Sequence, residues 1–274
     1  MRRRTRGLLA ALGLGLAACS GQGPDRTTAD AAPSDDAAPG VDTSLAVASR
    51  NIPDTPPARA ASFTVLVTSP EGVDAAGLDA AVSTLVGRAD TAVHVVAPGA
   101  DARDLAERST PAPKPVATQT MTGHPADAVN GSMGQVMAFA LAEGPAFDLV
   151  IVGISAASGI DEAAAALHAA ALASDAGLPS LVVLVDGEDP DLAGASLLLS
   201  SVLDFDLDRV VDTAGIHTLT VPSCDSGIVR GPVVTDPTPA GEAVPPADCS
   251  SHTTHAFDDE AEALAAGVAA LVAR

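Results

Sequence analysis

Short apolar runs rich in β-branched residues, alternating with segments of helical period, constrain this chain more than any other feature. Phe63-Thr-Val-Leu-Val-Thr68, Ala92 to Ala97, Phe147 to Ile154 and Leu181 to Val185 read as buried strands, and Ile216 to Val221 as a further one. Helical patterns follow from Ala75 to Gly87, within about Ala126 to Ala142, from Ile160 to Ala176 and from Asp191 to about Leu203. Strands apolar on both faces need cover on both sides. The expectation is therefore an α/β fold of three layers with a mainly parallel sheet. In such sheets ligands sit at the carboxyl ends of strands, which directs attention to the loops after Thr68, Ala97 and Ile154. The stretch after Val221 is rich in Pro and Gly, and the last segment, Phe257 to Arg274, reads as a helix with Asp258, Asp259 and Glu260 in its first turn.

The chain opens with Arg2, Arg3, Arg4 and Arg6, then an apolar run from Gly7 to Leu16-Ala17-Ala18 directly before Cys19. This is the pattern of a bacterial lipoprotein signal. The run is shorter than the roughly 20 residues a membrane-spanning helix needs. Residues 1–18 are expected to be a signal peptide removed before Cys19, which would carry the lipid (palmitate-type) anchor and hold the protein on the extracytoplasmic face of the cell membrane. Residues 19–61, rich in Ala, Pro, Asp, Ser and Thr, read as a disordered tether. Residues 62–274 form the expected α/β domain.

Loss of the leader's four arginines would take the formal charge from -21 to about -25, and Lys114 is the only lysine. Phosphate backbones are bound by clustered Lys and Arg, so a nucleic-acid partner is not expected. The oxidising exterior implied by the leader favours a disulfide between Cys224 and Cys249; two unpaired buried cysteines are the alternative. A dinucleotide Gly-x-Gly-x-x-Gly loop, a Walker loop and a Cys-x-x-Cys pair are all absent from the sequence.

Five segments, in order, carry a resemblance: Val65-Leu-Val-Thr-Ser-Pro-Glu-Gly-Val-Asp-Ala-Ala-Gly-Leu78, Val93-His-Val-Val-Ala-Pro98, Gly123-His-Pro-Ala-Asp-Ala-Val129, Asp148-Leu-Val-Ile-Val-Gly-Ile154 and Ala176-Gly-Leu-Pro-Ser-Leu-Val-Val183. Together they resemble the SurE proteins (survival protein E), metal-dependent 5'/3'-nucleotidases and acid phosphatases. The resemblance spans about Phe63 to Leu271. It implies a SurE-like, Rossmann-like fold with an extended C-terminal region that is swapped between subunits in the family's oligomers, hence a possible homo-oligomer here.

The resemblance also implies a ligand set, from which this sequence departs. Where the family has Asn-Asp-Asp in the first loop, this chain has Ser69, Pro70 and Glu71; where it has Ser-Gly after the second strand, Arg103 and Asp104 stand here. Its Gly-Ile-Asn is Gly153-Ile154-Ser155, and its later Ser-Gly-Thr run falls near Ala164, Ala165 and Ala166. Mg²⁺ and Mn²⁺ demand anionic oxygens in near-octahedral array, and phosphate-ester hydrolysis in the family depends on that ion. The expectation is a degenerate site, no cofactor and lost nucleotidase activity, leaving a binding or interaction module with an unidentified ligand. The alternative is an active metal-dependent phosphomonoesterase with a weaker Mg²⁺ or Mn²⁺ site rebuilt on Glu71, Asp104 and Ser155, with Ser69 beside it.

Several remaining residues read more simply. His124 stands where the family has Thr and reads as structural. His168 replaces a family Gly and fills space. His252 and His255, three apart near Cys249, superficially suggest a metal site, but the expected disulfide removes that thiol as a ligand, so they read as surface-loop histidines. Ser223 and Ser226 lack a nucleophile elbow, so a serine-hydrolase reading fails.

Overall fold

The computed structural model describes residues 63–99, 114–156, 160–187, 190–212, 214–224, 226–239, 244–253 and 255–274. The expected signal peptide, Cys19, the tether, Arg103 and Asp104 lie outside them. The elements run β1 (Phe63–Thr68), α1 (Ala76–Val86), β2 (Thr91–Pro98), β3 (Val116–Gln119), β4 (Pro125–Val129), α2 (Met133–Glu143), β5 (Leu149–Ala156), α3 (Ile160–Asp175), β6 (Ser180–Val185), α4 (Leu192–Phe205), α5 (Leu207–Val211), β7 (Ile216–Val221), β8 (Arg230–Val234), α6 (Glu260–Ala265) and β9 (Val268–Ala273).

They build one nine-stranded sheet in the order β3-β4-β2-β1-β5-β6-β7-β9-β8. From β4 to β7 every neighbouring pair is parallel; β3 and β9 pair antiparallel with β4 and β7, and β8 lies parallel to β9. Alternation along each strand divides the body of the interior into two clusters, and a third, smaller one of Ala263, Leu264, Val268, Ala270 and Val272 lies at α6 and β9. Val65, Val67, Leu149, Ile151, Leu181 and Val183 pack with Leu78, Leu85, Leu199 and Val202 of α1 and α4. Leu66, Val150, Val152 and Val182 face the other way, onto Val136, Met137, Ala169 and Ala173 of α2 and α3. Burial of each such Leu or Val stabilises the fold by about 1.5–3 kcal/mol before entropy is counted. Alanines on α3 let that helix lie close to the strands, which is how a core without Trp or Tyr fills.

The helix expected within about Ala126 to Ala142 is α2, which starts at Met133, and the residues before it form a strand, β4, that was not expected. Asn130-Gly131 breaks the chain there, and a capping box fixes the start: the Ser132 side chain accepts from the backbone of Gln135, and Gln135 Oε1 accepts from Ser132 N at 3.1 Å. The terminal segment is not one helix from Phe257. It is the six-residue α6, capped by Asp259 Oδ1 accepting from Glu262 N at 2.9 Å, then Gly267 at φ 70°, then β9. Positive φ at Gly267 ends the helix, and the following Val-Ala-Ala-Leu-Val buries side chains on both faces, a strand pattern. Both edges of β9 are paired within the chain, to β7 and β8. The short strands β3 and β8 were not legible, because their residues are partly or largely exposed and lie beside Pro and Gly.

Cys224 and Cys249 form a disulfide with Cα atoms 5.8 Å apart, tying the loop after β7 to the loop before α6.

Candidate functional site

After β1 the chain moves to β2 and β4 on one side, and it later crosses to β5 on the other side of β1. The carboxyl ends of β1 and β5 therefore flank the crevice where this architecture binds ligands. Thr68 ends β1 there, Ser69 and Pro70 follow it, and Ser155 is the next-to-last residue of β5.

What shapes this point is the close approach of α1 to β5. A Cβ on Gly77 would lie 1.7 Å from the Ile154 carbonyl oxygen, and one on Gly153 would lie 3.0 Å from the Leu78 Cα. Only glycine fits at Gly77 without displacing backbone. The first and fourth segments that carry the family resemblance thus meet at two glycines, a role that sequence reading had not assigned. The loop between β1 and α1 turns through Gly72, at φ 106°, and is pinned to β2 by Val73 N donating to Pro98 O at 2.9 Å.

Within that loop Ser69 is buried and its Oγ accepts the Glu71 backbone N–H at 3.2 Å. Pro70 is buried, and Glu71 is half-buried. Ser155 is buried with its hydroxyl donating to Gly153 O at 3.4 Å. Thr68, fully buried on the face that Leu66 shares with α2 and α3, has no hydrogen-bond partner for Oγ1. The crevice thus offers hydroxyls and one carboxylate. Mg²⁺ and Mn²⁺ bind octahedrally, commonly through one or two carboxylates with water completing the shell, and among the described residues of the crevice Glu71 is the one carboxylate. Pro70 beside it offers no side-chain oxygen, so the described donor set falls short of the adjacent carboxylate pair that the family resemblance implies.

The remaining candidates lie elsewhere. His124 immediately precedes β4 at the amino end of the parallel strands, opposite the crevice, with Nε2 3.4 Å from Val93 O. His168 is on the exposed side of α3, and of the three alanines expected at the phosphate position Ala166 is fully buried. His252 and His255 are exposed; His255 Nε2 lies 3.0 Å from Glu262 Oε1, and Cys249 is committed to the disulfide. Asp79, in the first turn of α1, accepts from both the backbone N–H and the hydroxyl of Thr122 at 2.8 Å, fastening the β3–β4 hairpin to the helix. Burial raises its carboxyl pKa, but hydrogen bonds from the Thr122 backbone and from the Thr120 and Thr122 side chains outweigh that and leave it below the ordinary value.

A parallel sheet between two helical layers, with its crossing point at β1 and β5, defines a Rossmann-like three-layer α/β protein. Among solved structures, the chain is similar to the crystal structure of the SurE protein from Aquifex aeolicus, with a TM-score of 0.57 and 16% identity, over 77% of this chain and 92% of that one. The fold is accordingly SurE-like. No protein-family model matches the chain, and no curated protein matches it.

Proposed function

We propose that this chain is a lipid-anchored protein of the cell envelope that keeps a SurE-like fold without nucleotidase chemistry and acts as a binding or interaction module. The observation that carries this reading is the loop after β1, where Pro70 contributes no side-chain oxygen and the Ser69 hydroxyl is engaged by the backbone of Glu71. Phosphoryl transfer in this family needs a divalent ion to polarise the ester and activate water, and one half-buried carboxylate is a poor substitute for a pair. A fold retained without its ligand set is consistent with the general independence of fold and chemistry. The Cys19 context supports the envelope location.

The test is hydrolysis of p-nitrophenyl phosphate and 5'-AMP by the intact protein with Mn²⁺ or Mg²⁺, against an EDTA control. Turnover at the EDTA level is the expected outcome. Metal-dependent turnover that disappears in Glu71→Ala would overturn the reading in favour of a rebuilt phosphomonoesterase.

A further inference from the structure

A groove of about 500 Å³ lies between the C-terminal end of α2 and the strands β2, β3 and β4, at the opposite end of the sheet from the crevice. Its floor is apolar: Phe147 is buried and Phe139 partly buried, and the His94 and Phe147 rings meet in a T-shaped arrangement with centroids 5.8 Å apart at 73°. Two of the chain's five Phe residues line it, in a protein with no Trp or Tyr. Asp127 and Glu143 stand on its walls, and no Lys or Arg is among its lining residues.

Among the described residues neither the Asp127 nor the Glu143 carboxylate has a hydrogen-bond or ion-pair partner; Asp127 is half-buried on β4, Glu143 is exposed at the end of α2, and the bases in the lining are the imidazoles of His94 and His124. The C-terminal turn of α2, an 11-residue helix with no basic residue in its last turn, opens on the same groove and adds the negative end of its dipole. Two carboxylates, a helix C-terminus and aromatic faces all favour a cation over an anion or a neutral polar group. The apolar floor favours a ligand with a hydrophobic body, because a fully hydrated ion gains nothing from Phe139 and Phe147.

We propose that this groove binds a small organic ammonium with an aromatic or aliphatic body, its charge held by Asp127 and Glu143 and its body lying on Phe139 and Phe147. The inference does not rest on the loss of nucleotidase chemistry, since it uses no residue of the β1–β5 crevice. Either can fail alone.

The test is calorimetric titration of the intact protein with 2-phenylethylammonium, with 2-phenylethanol as the neutral analogue of the same shape. Saturable one-to-one binding below about 1 mM is expected for the ammonium, with the alcohol roughly tenfold weaker or more. Asp127→Asn with Glu143→Gln should weaken the ammonium by at least about tenfold while leaving the circular-dichroism melt in place, since neither carboxylate has a partner to lose. Asp208→Asn, an exposed acid of α5 far from the groove lining, serves as the control and should leave binding unchanged. Absence of saturable binding would overturn the proposal. So would equal binding of ammonium and alcohol, or equal weakening by the Asp208→Asn control, which would reduce the effect to the general negative charge of the protein.

Discussion

His217, in β7, is 3% exposed, and its Nδ1 has no hydrogen-bond partner. Burial first, and then the Arg209 cation, hold its imidazole pKa below the usual value, against a smaller opposing contribution from the Ser180 backbone. The unfolded chain takes up this proton near pH 6.5 while the native state resists it, so native stability declines as pH falls below about 6.5. Urea midpoints measured across that window should drop for the wild type and flatten for His217→Leu; an unchanged slope in the variant would refute the assignment. Gly77 makes the second prediction at this scale. In an ordinary helix, Gly→Ala gains about 1 kcal/mol from propensity. Here the added Cβ meets the Ile154 carbonyl at 1.7 Å, so Gly77→Ala should lose about 1–3 kcal/mol instead. Denaturant unfolding gives the sign directly, and a stabilised variant would mean that α1 can move off β5.

Among the elements, the C-terminal part of the sheet depends on two fastenings. Around Cys249, a Cβ on Gly227 would lie 2.5 Å from the Cys249 carbonyl oxygen, and one on Gly267 would lie 2.6 Å from its Cα, so the disulfide sits where three chain segments converge. Replacing both cysteines by Ser should lower stability by roughly 3 to 4 kcal/mol, the loop-closure value for a bridge of this span. An unchanged melting midpoint would show the bridge to be dispensable. The other fastening joins β7, α6 and β9: the Arg274 guanidinium contacts both Glu260 oxygens, at 2.7 and 3.0 Å, and donates to Thr218 Oγ1 at 3.0 Å, while Thr220 donates to Glu260 at 2.7 Å. Glu260 is buried and Arg274 about one-third exposed, which moderates the pair's contribution. Arg274→Ala is expected to cost about 1–3 kcal/mol, largely by leaving a buried carboxylate short of partners. Thermal melts of Arg274→Ala, Glu260→Gln and the double variant form a cycle that isolates the interaction, and additive effects would argue against it.

For the whole molecule, the decisive expectation is the anchor. Cells expressing the chain should incorporate a labelled fatty acid into it, and Cys19→Ser should abolish the label and shift the protein from the membrane to the soluble fraction. Labelling that persists in Cys19→Ser would refute Cys19 as the lipidated residue, and absence of label in the wild type would remove the basis for placing this protein in the envelope. The sequence by itself determined the class of fold, because runs such as Val65-Leu-Val and Leu181-Val-Val-Leu-Val are apolar on both faces and can only be buried between helical layers. It also determined which side chains the loop after β1 presents, Ser69, Pro70 and Glu71, since residue identity is a local property of the chain. Only the tertiary structure decided that Gly77 and Gly153 meet, that the terminal segment turns at Gly267 into a strand, and that Asp127 and Glu143 flank one aromatic-floored groove. Those features join residues far apart in sequence. Periodicity and propensity report a residue's own segment, whereas the space left for a Cβ, the pairing of a strand edge and the convergence of two charges depend on what the rest of the chain places beside it.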